Sequence, residues 1–118
     1  MTAPPLARVE LVEHERVMGR GAARVYFLVK KGDGWLRATE WPGAQTESRD
    51  AGPGTVWERA VILELPVGTE VSRVEVRPRE PRRLDPLSHL MSRASAAPRT
   101  TRRVSFRVKR DGRLAPTR

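Results

Sequence analysis

Arg103, Ser105, Arg107 and Lys109 alternate with Val104, Phe106 and Val108 near the end of the chain. On an extended strand this puts the polar side chains on one face and the apolar ones on the other. Side chains two apart then stand about 6.6–7 Å from one another, a spacing that flexible arginines adjust to the phosphates of a nucleic-acid strand. Arg82, Arg83, Arg99, Arg102 and Arg110 extend the basic set. The chemistry on offer is phosphate recognition, for which the permanently charged guanidinium fork is suited. An edge strand kept soluble by positive charge would carry the same residues, so both readings stand.

A second pattern interleaves aromatic and basic residues. Trp35, Arg37, Thr39 and Trp41 alternate through a stretch expected to be one strand, and Trp57 shares a face with Arg59 on the next. Aromatics set among arginines on a sheet stack and neutralise single-stranded nucleic acid. The competing use is the core. With Tyr26, Phe27 and Phe106 these tryptophans are all the aromatics present, and a small core takes most of them. Trp41, next to Pro42, suits a plug at the end of the sheet.

Catalytic chemistry finds little to work with. His14 and His89 are the only histidines and there is no cysteine, so cysteine-ligated zinc and disulfides are excluded. Ser88 and His89 are adjacent, and adjacent helical side chains point about 100° apart, which is no nucleophile–base geometry. Glu13 and Glu15 share a strand face but have basic neighbours and a simpler surface role. Gly19-Arg20-Gly21 and Gly52-Pro53-Gly54 do not lead from a strand into a helix, so neither forms a phosphate loop. The expectation is a protein that is not an enzyme and uses no metal or cofactor.

The charge is unevenly placed. The chain has 118 residues and a net charge of +9. Residues 1–79 hold 12 Lys/Arg against 11 Asp/Glu, whereas residues 80–118 hold 11 against 3. A near-neutral body is thus joined to a basic C-terminal third, the asymmetry expected of a protein with an anionic partner. Twenty of the 23 basic residues are arginine, and asparagine is missing. That usage follows from a GC-rich genome and is shared by heat-adapted proteins, so it adds little to the phosphate argument. No stretch is apolar for the roughly 20 residues a membrane helix needs. The first residues have no signal-peptide pattern, and a cytoplasmic address is expected.

The elements that must position these residues are mostly strands. Apolar–polar alternation and glycine turns predict strands over about Arg8–Val17, Ala23–Lys30, Trp35–Trp41, Thr55–Leu65, Val71–Arg77 and Thr101–Arg110. In the fifth, Val74 and Val76 are expected inward. Pro42 to Gly54 reads as a long polar loop, and the last six residues as a loose tail. Asp85-Pro86 makes a good helix start, and Leu87, Leu90, Met91 and Ala94 follow at one-face spacing. The fold expected is a mainly β single domain over residues 1–118. It is a small antiparallel barrel or sandwich of about six strands, with one short helix between strands 5 and 6.

Two functions fit. One is a non-catalytic nucleic-acid-binding protein that contacts phosphates of single-stranded DNA or RNA through its basic third with little sequence preference. The other is an interaction module, docking on an acidic protein surface or pairing a sheet edge with a second copy. No membrane role is expected of either.

Overall fold

Period-two alternation carries through into long strands. The computed structural model describes residues 2–19, 21–78 and 99–117. Its strands are β1 (Leu6–Met18), β2 (Gly21–Lys31), β3 (Gly34–Arg37), β4 (Gln45–Arg49), β5 (Thr55–Pro66), β6 (Glu70–Pro78), β7 (Arg99–Val108) and β8 (Leu114–Pro116). A single 3-10 turn, Ala38–Glu40, follows β3. The strands form one antiparallel sheet in the order β4-β5-β1-β2-β6-β7-β8, with β3 paired to β2 beside β1. The sheet curls into a half-barrel. The mainly β expectation holds, with eight strands in place of six. The expected helix over Asp85 to Ala94, like Arg82 and Arg83, lies outside the described residues.

Three departures have clear causes. The expected loop 42–54 contains β4, whose residues are exposed and polar. It is a strand because β5 offers its free edge, and no apolar alternation announces it. The tail folds back as β8 on β7. The expected strand through Trp41 stops at Arg37, where the 3-10 turn begins and redirects Trp41 onto the core.

The core joins opposite faces of the sheet. In β1 and β5 the inward side chains are Ala7, Val9 and Leu11 with Val61, Leu63 and Leu65, which are register partners. In the other layer they are Val25, Phe27 and Val29 of β2, Val71 of β6 and Val108 of β7. Partners across an antiparallel pair share a face, and β1 pairs His14 with Val25. Val25 therefore lies on the face of His14, opposite to Leu11. The two layers meet because β1 and β2 pair only over His14–Met18 and Gly21–Val25. Beyond that point the β1–β5 ribbon separates and twists over the second layer, as two-stranded ribbons readily do.

Glu13 sits where the strands part. It is fully buried, its Oε2 accepts the Phe27 amide at 2.9 Å, and its Oε1 accepts Arg59 Nε at 3.0 Å and Nη2 at 2.9 Å. The carboxylate thereby supplies the acceptor that the missing β1–β2 ladder would have given. At the other end the turn after β7 closes against β1. Gly112 has φ +83, and an added Cβ there would strike the Arg8 carbonyl oxygen. The Val67 amide donates to Pro5 O at 2.9 Å and the Gly68 amide to Val108 O at 2.8 Å.

Candidate nucleic-acid interface

Because the core uses one face of β2, β6 and β7, their other face looks outward. The registers place Arg24, Tyr26, Leu28 and Lys30 of β2 there, with Ser72, Val74 and Val76 of β6. Arg99, Arg103, Ser105 and Arg107 of β7 and Trp35 and Arg37 of β3 share it. Across the junction the same face continues through Glu15 to Trp57 and Arg59 of β5. Sequence alternation alone suggested that Val74 and Val76 point into the main core. Val74 is buried, but on this outer face, and Val71 enters the core instead.

Val74 lies in register between Tyr26 and Arg103, on a face that carries stacked aromatic and cationic groups. The Arg103 guanidinium carbon lies 4.2 Å from the Trp35 ring centroid, and Lys30 Nζ lies 5.6 Å from the same ring. Arg37 and Arg24 flank Tyr26 at 4.2 and 5.4 Å, and Arg59 lies 4.8 Å from Trp57. Each pair is attracted through the ring quadrupole. Among the described residues, Arg24, Arg37 and Arg103 have no acidic partner, whereas Arg59 is paired with Glu13 and Lys30 with Glu70 at 3.9 Å. The face therefore presents unneutralised guanidinium groups beside half-buried rings.

The expected basic residues separate into groups. Arg99, Arg103 and Arg107 share the outer face at every fourth position, about 13 Å apart along the strand. Arg107 Nη1 also donates to Gly68 O at 3.2 Å. Arg102 lies on the opposite face, in register with Glu75, because adjacent strand residues point opposite ways. Lys109 and Arg110 lie past the end of β7 and are exposed, with Lys109 Nζ 3.9 Å from Asp111. Trp35 stands within the patch, while Trp41 packs against the core with Lys31 Nζ 5.7 Å from its ring. Tyr26, Arg24 and Arg37 belong to the patch but not to the expected set. The register rows that carry them were hidden, since β2 reads as apolar on both faces.

The other face of the second layer carries a mixed charge cluster. Glu75 accepts from Arg73 Nη1 at 3.1 Å and from Arg77 Nε. These contacts, the Arg77 bond first, hold its carboxyl below the ordinary range against the opposing effect of burial. Burial, with Arg16 and Arg73 nearby, lowers the His14 pKa; Glu58 and Glu75 pull the other way. Glu75 pairs with two of these arginines, and with Arg16, Arg102 and Glu58 on the same face the cluster keeps a net positive charge. No group of three or more His, Cys, Asp or Glu among the described residues gathers in a way that would hold a metal ion. No described helix is long and apolar enough to cross a membrane.

No known family model, curated protein or solved structure matches the chain.

Proposed function

We propose that this chain binds single-stranded nucleic acid along the outer face of β2, β3, β6 and β7, contacting phosphates through Arg99, Arg103 and Arg107. The observation that carries the reading is the stacking of Trp35 and Tyr26 with arginines that have no acidic partner among the described residues. Exposed β-sheet aromatics stack bases of any identity, and the arginines beside them neutralise the backbone. A duplex suits this surface less well, since no helix among the described residues presents itself to a groove.

The test is fluorescence anisotropy with labelled single-stranded DNA and RNA across a salt series, with wild type and an Arg99/Arg103/Arg107→Ala variant. Wild type binds at low salt and weakens steeply as salt rises. Removing three phosphate contacts from a single strand lowers the log–log salt slope by about two. No binding of any strand at low salt would overturn the reading.

One observation favours a second reading, a dimer through sheet edges. β4 ends the sheet, and all five of its residues, Gln45–Arg49, are exposed. Its outer backbone groups are open to another strand. Light scattering after size exclusion distinguishes the two: a dimer that Thr46→Pro dissolves supports edge pairing, and a monomer removes it.

A further inference from the structure

Ser72 Oγ, Arg24 Nε and Arg37 Nε are buried and have no hydrogen-bond partner among the described residues. All three lie on the outer face of β2, β3 and β6, around Tyr26. The fourth such atom, His14 Nδ1, belongs to the opposite face. Buried polar atoms are nearly always paired, so three unpaired ones under one cover call for a physical reason. Ser72 is fully buried in the middle of the sheet, in register with Leu28 on one side and Ser105 on the other. Trp35 and Arg103 reach toward each other from β3 and β7, across β2 and β6.

The chemistry of the three atoms is one-sided. An arginine Nε only donates, and a serine hydroxyl can donate. The complement is an acceptor, carried on something flat enough to lie against an indole and a guanidinium. We propose that this cradle takes one carbonyl-bearing nucleobase of a single strand: uracil, thymine, cytosine or guanine. The base stacks on Trp35 where Arg103 now lies, and its carbonyl oxygen accepts from Ser72 Oγ and from the Nε–H group of Arg37, one donor to each lone pair. Arg103, displaced from the ring, meets the adjoining phosphate. Adenine has no carbonyl and leaves these donors unpaired, so it is disfavoured. The inference rests on the single-strand reading above and adds base preference to it.

The experiment compares labelled U12 and A12 binding to wild type, Ser72→Ala and Arg37→Lys at one salt concentration. The lysine variant keeps the charge and deletes Nε. Wild type favours U12 roughly tenfold, the worth of one or two hydrogen bonds. Ser72→Ala weakens U12 binding and leaves A12 binding unchanged, and Arg37→Lys weakens U12 binding more than A12 binding, so the preference falls in both. Circular dichroism melts accompany each variant, so that a folding defect is seen as such and Arg37→Lys stands in for an unfolded Ser72→Ala. Equal affinity for U12 and A12 in wild type, or equal losses for both in the folded variants, would overturn the slot while leaving the single-strand reading intact. Failure of every strand to bind removes both. Competition by UMP without competition by inorganic phosphate supports base recognition, and equal competition by the two overturns it.

Discussion

The Glu13 carboxylate accepts the Phe27 amide at 2.9 Å, although Glu13 lies on β1 and Phe27 on β2 beyond the last register pair of those strands. One side-chain oxygen thus replaces a backbone carbonyl at the point where the ladder ends. Its other oxygen holds the Arg59 fork. A single buried acid thus occupies the point where β1 separates from β2.

Glu13→Ala leaves the Phe27 amide without its acceptor and Arg59 without its counter-charge. Breaking a fully buried pair costs about 3–5 kcal/mol. The Arg59 side chain is 34% exposed, so solvent screening reduces the expected loss to about 2–4 kcal/mol. Glu13→Gln retains an acceptor for Phe27 and costs less. Urea unfolding of the two variants checks the order, and equal losses would mean that the Phe27 contact contributes nothing.

Gly112→Ala is expected to cost about 2–4 kcal/mol, because it combines a left-handed backbone conformation with overlap on Arg8. Gly32 also has positive φ, +61, but faces open space. Gly32→Ala therefore carries the backbone term alone, about 1–2 kcal/mol. Thermal melts of the two variants separate conformational strain from steric contact.

Stability is expected to fall as the solution is acidified, in two stages of the same sign. The folded-state pKa of His14 lies below its ordinary value, so the unfolded chain takes up the proton first. Stability is complete above the unfolded pKa of about 6.5 and is lost as pH falls toward and through the folded value. Glu75 is also lowered, so its contribution is lost below its ordinary carboxylate range as pH falls through its folded pKa. Urea midpoints from pH 8 to about pH 2 give the profile. His14→Gln removes the upper stage and leaves the lower one; an unchanged upper stage would assign it elsewhere.

Arg103→Ala uncovers the Trp35 ring. An exposed cation–π contact is worth about 0.5–1 kcal/mol, so the melting temperature moves little. Quenching of tryptophan emission by acrylamide rises relative to wild type, while Arg102→Ala, which alters the opposite face, leaves it unchanged. Similar quenching in both variants would show that Arg103 does not cover the ring in solution.

Local pattern determined much of this molecule. The alternation in residues 103–108 suffices to set Arg103 and Arg107 against Val104, Phe106 and Val108, because side chains on a strand alternate with period two. The strand class and most strand positions follow from the same rule, and glycines mark the turns, as at Gly32 and Gly68, both with positive φ. Only the tertiary structure decided which face of each strand is the inside. Period two divides residues into two sets but does not say which set meets the core, and here the answer reverses between β1–β5 and β2–β6–β7. β4 escaped because an exposed edge strand needs no apolar face; its strand character comes from the hydrogen-bonding edge of β5. The patch escaped in the same way. Trp35 and Arg103 come together across two intervening strands, a proximity produced by sheet order and twist, which local residue patterns do not encode.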